Sequence, residues 1–134
     1  MSMASSITME KPVILAVDDS SEMLDILKNV IAGAGYRFFG ASNANQCMRL
    51  VRDLAPDLIL LDIQMPEVDG FELCRQIRAV EACRHIPVAF VTARRTAQDV
   101  KAGIAAGGND FITKPFDPKN LMARIERWVK QKQV

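Results

Sequence analysis

The sequence has little of what marks a metalloprotein, a secreted scaffold or a membrane protein. It holds one histidine, His85, and three cysteines, Cys47, Cys74 and Cys83, none in a CxxC pair. An odd number of thiols without that spacing argues against a disulfide framework or a thiolate metal site. Small buried or half-buried thiols in a reducing compartment are expected instead. A lone imidazole beside Arg84 is expected at the surface, neither catalytic nor metal-binding. No apolar run approaches the roughly 20 residues that cross a bilayer. Net charge is scarce too: 17 Lys and Arg against 16 Asp and Glu leave +1, which offers no attraction to nucleic acid or a membrane surface. Residues 1–11 have no basic stretch followed by an apolar block and do not read as a signal peptide. They are expected to form a loose tail, with residues 132–134 as a second. Residues 12–131 are expected to be one domain, in a cytoplasmic protein.

What is present has a clear rhythm. Val13–Val17 is an apolar run that ends in Asp18 and Asp19, and Leu58–Leu61 runs straight into Asp62. Runs without polar alternation read as strands buried on both faces, as in a parallel sheet. Arg37–Ala41 reads as strand two. Strand four covers Ile86–Val91 and ends at Thr92, with Pro87 tolerated only near its start. Asp110–Thr113 is strand five and leads into Lys114–Pro115. Between the strands, apolar residues recur at helical spacing. The first helix starts at Asp19-Ser20-Ser21-Glu22, a cap with a glutamate three residues on, and ends at Gly33 and Gly35. The second starts at Asn43 or Asn45, carries Cys47, Leu50, Val51 and Leu54, and is stopped by Pro56. Pro66 and Gly70 mark a turn after Asp62, and Leu73, Cys74 and Ile77 form the third helix. The fourth, Thr96 to Ala106, is the weakest: Gly103 lies inside it, at a cost of about 1 kcal/mol against alanine. It is therefore a candidate for movement. The fifth carries Leu121, Ile125, Val129 and Trp128, the last as an anchor on its apolar face. Five repeats of strand then helix imply an α/β fold, a parallel sheet covered by helices on both sides.

The strand exits converge at one edge. Strand one delivers Asp18 and Asp19, strand three Asp62, strand four Thr92 and strand five Lys114. In open α/β sheets that carboxyl edge is where ligands bind. Three carboxylates brought together repel one another unless a cation is present. Hard oxygen ligands of this kind suit Mg²⁺, with Mn²⁺ able to substitute. A carboxylate can also be the nucleophile that accepts a phosphoryl group. That transfer needs alignment and neutralised charge, here from Mg²⁺, Lys114 and the Thr92 hydroxyl. The small Ala93 leaves space and a backbone N–H beside them.

The chain resembles the receiver domains of two-component response regulators. The resemblance rests on Val17-Asp18-Asp19, on Leu61 through Gly70, on Val91-Thr92-Ala93 and on Phe111-Ile112-Thr113-Lys114-Pro115-Phe116, in order and on successive strands. It implies a flavodoxin-like, doubly wound (βα)5 fold with strand order 2-1-3-4-5. It also implies that Asp62 is the phospho-acceptor. Asp18, Asp19, Asp62 and the backbone carbonyl of Gln64 would hold Mg²⁺, and Thr92 and Lys114 would bind the phosphoryl group. Thr92 and Phe111 are the implied switch, with Phe111 swinging inward and reshaping the face of helix four, strand five and helix five. Gln64 and Arg94 flank the path of a hydrolytic water, so they are candidates to set the phosphorylated lifetime. Implied partners are a sensor histidine kinase or phosphotransfer protein, a downstream target or effector domain, and a second copy through that same face. Neither nucleic acid nor membrane is expected to be contacted by this chain. Such a domain catalyses only its own phosphorylation and dephosphorylation and is not an enzyme in the usual sense. Helix two opens with Asn43-Ala44-Asn45-Gln46, where receivers often carry glycine and glutamate, and no function attaches to that departure. Two other readings compete. One is a docking or dimerisation module that does not switch. The other is a Mg²⁺-dependent aspartyl phosphatase, disfavoured because strand one ends Asp18-Asp19-Ser20 rather than in a D-x-D.

Overall fold

The structure is a computed structural model that describes residues 11–133. The rest of the expected N-terminal tail and Val134 lie outside the described residues. Eleven elements follow in order: β1 (Val13–Val17), α1 (Ser21–Gly33), β2 (Arg37–Ala41), α2 (Ala44–Leu54), β3 (Leu58–Leu61), α3 (Gly70–Ala79), a 3-10 turn (Glu81–Cys83), β4 (Val88–Thr92), α4 (Ala97–Ala105), β5 (Asp110–Thr113) and α5 (Pro118–Gln133). The five strands form one sheet in the order β2-β1-β3-β4-β5. Every pairing is parallel. This is the flavodoxin-like order that the resemblance implies.

The two faces of the sheet follow from strict alternation along each strand. Leu15, Val17, Ile59, Leu61, Val88 and Phe90 point to one side, where Cys47 and Val51 of α2 and Leu73, Cys74 and Ile77 of α3 cover them. Ile14, Ala16, Leu58, Leu60, Ala89 and Val91 point to the other, against Leu27 and Ile31 of α1 and Leu121, Ile125 and Val129 of α5. Both faces are apolar because both are covered, which is why β1 and β3 carry no polar residue and β4 only Thr92 at its end.

Several boundaries differ from expectation; β4, for one, starts at Val88 rather than Ile86 and includes Thr92. The cap of α1 is Ser20, whose hydroxyl accepts from the Met23 amide at 3.2 Å, not Asp19. Asp18 shifts the start: its Oδ1 takes the Ser20 amide at 2.9 Å, so the helix begins one residue later and Asp19 is left out of the cap. Strand three stops at Leu61, which places Asp62 just beyond the regular ladder. Finally, α5 continues through Gln133, including residues expected as a tail, since lysine and glutamine are good helix formers. Of the two possible starts for α2, Asn43 is the cap and accepts from the Gln46 amide at 2.9 Å. Thr96 and Asp99 form a reciprocal capping box at α4.

The end of α2 yields a stability test. Ala55 closes that helix in the left-handed region, φ 45°, where a Cβ is strained. Ala55→Gly is expected to raise unfolding free energy by about 1 kcal/mol, measured by urea denaturation. An unchanged or lowered value would contradict the strain.

All three cysteines are free and buried. Burial pushes the Cys47 thiol up to about 12, against an unfolded value near 9.0. The folded chain thus keeps a proton that the unfolded chain releases. Its stabilising effect is complete below pH 9 and is lost as pH rises toward 12. Denaturation midpoints should fall across that window, and Cys47→Ala should flatten the fall. A slope indifferent to this substitution would contradict it.

Candidate functional site

The site is built by the register of two neighbouring strands. Val17 and Leu61 pair across β1 and β3. Asp18 and Asp62 follow them directly, and the Asp62 amide donates to the Val17 carbonyl at 3.0 Å. Their carboxylates therefore emerge side by side at the carboxyl edge. Both are nearly enclosed, at 3% and 6% exposure, while Asp19 is exposed. One oxygen from each of Asp18, Asp19 and Asp62 lies within 4.8 Å of the others.

Lys114 crosses to this group from the end of β5. Its amide donates to the Thr92 carbonyl at 2.8 Å, continuing the ladder one residue beyond β5. Its Nζ donates to Asp18 Oδ2 at 2.6 Å and to Asp62 Oδ2 at 3.4 Å. Asp18 is the more firmly held acid, since its Oδ1 also takes the Ser20 amide. Asp62 has only the long ammonium contact and the Gln64 amide at 3.2 Å on Oδ1. Loose hydrogen bonding leaves lone pairs on Asp62 for a further partner.

The turn after Asp62 is fixed by Gly70. Its amide donates to the Ile63 carbonyl at 2.8 Å. A Cβ there would stand 2.3 Å from the Asp62 carbonyl oxygen and 2.7 Å from Ile63 Cα. The glycine is therefore required by close backbone approach.

Thr92 ends β4 fully buried, and its Oγ1 accepts the Arg94 amide at 3.3 Å. The Arg94 guanidinium is held elsewhere. It donates to Asp99 Oδ1 at 2.7 Å and lies over the Phe71 ring at 5.7 Å. The Thr96 hydroxyl, with the Arg94 cation behind it, holds the Asp99 carboxyl below its ordinary value. The structure thus ties Arg94 to α4 and to Phe71; the Gln64 side chain is exposed. Phe111 is half-buried, its ring 6.0 Å from Phe90, which in turn meets Phe71 edge-on at 5.4 Å. These three rings link the Arg94 segment to β5. Sequence reasoning missed this chain, although the Thr96-x-x-Asp99 box was a readable signal for a carboxylate beside Arg94.

The donor set suits a hard divalent cation. All three candidate ligands are carboxylates, and three negative charges facing one ammonium leave a net charge of about −2 at neutral pH. Oxygen ligands in excess of neutralising charge are what Mg²⁺ takes.

Comparison with known proteins agrees with this geometry. The model of the response regulator receiver domain family matches residues 14–126. The DNA-binding response regulator MtrA of Mycobacterium tuberculosis is 38% identical over 112 residues, covering 84% of this chain and 48% of MtrA. The transcriptional regulatory protein YvrH of Bacillus subtilis is 40% identical over 124 residues, covering 92% and 51%. Among solved structures, the signal receiver domain of a histidine kinase from Syntrophus aciditrophicus superposes with a TM-score of 0.82 at 33% identity, covering 90% and 91%. The chain belongs to the response regulator receiver domain family of two-component signalling. It spans about half the length of the curated relatives it matches.

Proposed function

We propose that Asp62 accepts a phosphoryl group from a phosphohistidine on a sensor kinase or phosphotransfer protein. A carboxylate oxygen of Asp62 attacks phosphorus, the new O–P bond forms as the N–P bond breaks, and the departing imidazole keeps the electron pair and takes up a proton. The observation that carries this reading is the contrast between two neighbouring acids. Asp18 is closed by Lys114 and the Ser20 amide, whereas Asp62 keeps only long contacts. Asp18 is thus the structural acid and Asp62 the available one.

Lys114 already lies between the two acids and needs only a small shift to pair with a phosphoryl oxygen on Asp62. The Thr92 hydroxyl donates to a second oxygen once its proton turns that way. Asp18, Asp19 and Asp62, with the Gln64 carbonyl, would hold Mg²⁺. When bound, Mg²⁺ would offset the carboxylate charge and that of the incoming phosphoryl group. Thr92 drawn toward Asp62 pulls on the Arg94 segment, whose ties to Phe71 and Asp99 carry the change to Phe111 and α4. The face of α4, β5 and α5 then presents the signalling state to a target. No substrate is turned over, so the protein acts as a switch rather than as an enzyme. A kinase or phosphotransfer donor of this kind would meet the protein in the cytoplasm; no helix among the described residues is long and apolar enough to cross a membrane.

Borohydride reduction of the phosphorylated protein, followed by peptide mapping, tests the assignment. The modified residue is expected to be Asp62. Modification at Asp18 or Asp19 would overturn it.

A further inference from the structure

Arg94 is held by Thr92, Asp99 and Phe71. Its amide donates to Thr92 Oγ1 at 3.3 Å, which fixes its backbone beside that hydroxyl. Its guanidinium donates to Asp99 Oδ1 at 2.7 Å and lies 5.7 Å over the Phe71 ring. The backbone of Arg94 is thus anchored at the site, while its cation is turned to α4 and α3.

Asp99 is braced for this hold. Its Oδ2 accepts from the Thr96 amide at 3.2 Å and from the Thr96 hydroxyl at 2.8 Å, which leaves Oδ1 to Arg94. Its side chain is 11% exposed, against 40% for Arg94. The acid is therefore fixed in the first turn of α4, and the cation is the movable partner. A short charge-assisted contact to an immobilised acid is stronger than a loose surface pair. The cation–π contact with Phe71 adds to it. The family resemblance makes Arg94 itself a candidate to set the phosphorylated lifetime. The geometry moves that decision to the carboxylate that holds it.

We propose that Asp99 is a positioning residue: it withholds the Arg94 guanidinium from the phosphoryl group on Asp62 and so keeps the path of the hydrolytic water open. The inference rests on reading Asp62 as the phospho-acceptor. In hydrolysis the water oxygen attacks phosphorus as the P–O bond to Asp62 breaks. The carboxylate keeps the electron pair, and the proton of the water passes to solvent. The water must enter in line, opposite the Asp62 oxygen. Lys114 and the Thr92 hydroxyl already pair with phosphoryl oxygens in that state, so a further cation brings more bulk than useful charge. A released guanidinium shields phosphorus instead of promoting attack. Because Asp99 belongs to α4, the lifetime is coupled to the position of that helix's first turn.

Decay of the phosphoryl adduct tests this. The full chain is phosphorylated with acetyl phosphate and Mg²⁺, the donor is removed, and the adduct is followed by intact mass. Asp99→Asn keeps an oxygen for Thr96 but removes the charge that holds Arg94. Its adduct should persist about tenfold longer than that of the wild type, the worth of one hydrogen bond to a charged group. The same substitution made in Arg94→Ala should leave the decay as it is in Arg94→Ala alone. A purely structural role for Asp99 would change both backgrounds alike. An unchanged or shorter lifetime in Asp99→Asn, or an extension that survives without Arg94, would overturn the proposal. Thermal melts will confirm that the variants fold. The hold is also read without any phosphoryl group: ¹⁵N relaxation should show the Arg94 side chain rigid in the wild type and mobile in Asp99→Asn. A mobile guanidinium in the wild type would sink the proposal and leave the reading of Asp62 intact. No adduct on a wild type whose guanidinium is rigid would overturn the reading of Asp62, and the proposal with it, so the two failures are told apart.

Discussion

Gly70→Ala will cost about 3 kcal/mol of stability and slow phosphoryl transfer to Asp62 by about 100-fold. The methyl group would stand 2.3 Å from the Asp62 carbonyl oxygen and 2.9 Å from its carbonyl carbon, both backbone atoms that no rotamer change can move aside. Either α3 retreats or the segment carrying Asp62 moves. The first loosens the packing of Phe71, Leu73 and Cys74 against the sheet. The second displaces the Asp62 carboxylate from Lys114. Overpacking of this kind sits at the upper end of the 1–3 kcal/mol range, roughly, because the clash is with main chain. A displacement of about 1 Å is enough to cost the stated factor in rate. Urea denaturation and a time course of adduct formation check the two effects. Wild-type values for both would show that the 62–70 turn tolerates a side chain.

Lys114→Met will destabilise the metal-free protein by about 3 kcal/mol, the low end for breaking a buried ion pair. Asp18 and Asp62 would then face each other with no cation between them, since Lys114 is the base bonded to both. The low end applies because Asp19 and the rim of the site meet solvent. Mg²⁺ bound by these acids would supply the missing charge, so thermal melts of the variant should rise more steeply with millimolar Mg²⁺ than those of the wild type. The wild type should also rise, because its three carboxylates outnumber the single ammonium. Melts indifferent to Mg²⁺ in both proteins would contradict the acidic pocket. The variant should also transfer phosphoryl groups poorly, since one phosphoryl oxygen loses its counter-charge.

Much of the fold was legible because both faces of the sheet are covered. Apolar runs as short as Val13–Val17 and Leu58–Leu61 read as buried strands, and the polar residue ending each marks the carboxyl edge. Parallel pairing then brings Asp18, Asp62 and Lys114 together, whatever the loops do. The strand order needed the family resemblance, since five apolar strands do not name their own neighbours. What stayed hidden depends on long-range geometry. Nothing local shows that Lys114 sits closer to Asp18 than to Asp62. The family resemblance sets Arg94 beside a water path, whereas the Asp99 carboxylate and the Phe71 ring hold its guanidinium. Trp128 was read as an apolar anchor; its indole N–H also finds Asp110, eighteen residues earlier. Arg78 belongs to no motif. Its guanidinium donates to the carbonyls of Gly107, Arg84 and Ile86 and to Asn109 Oδ1, joining α3 to the segments that flank β4 and β5. A cation satisfied by neutral carbonyls leaves no charge pattern in a sequence.

The most direct test is intact mass after incubation with acetyl phosphate, with and without Mg²⁺, on the wild type and on Asp62→Asn. One phosphoryl adduct on the wild type, dependent on Mg²⁺ and missing from Asp62→Asn, is the expected result. An adduct that persists in Asp62→Asn, or that forms equally well after chelation of divalent ions, would contradict the assignment of Asp62 and of the acidic group around it.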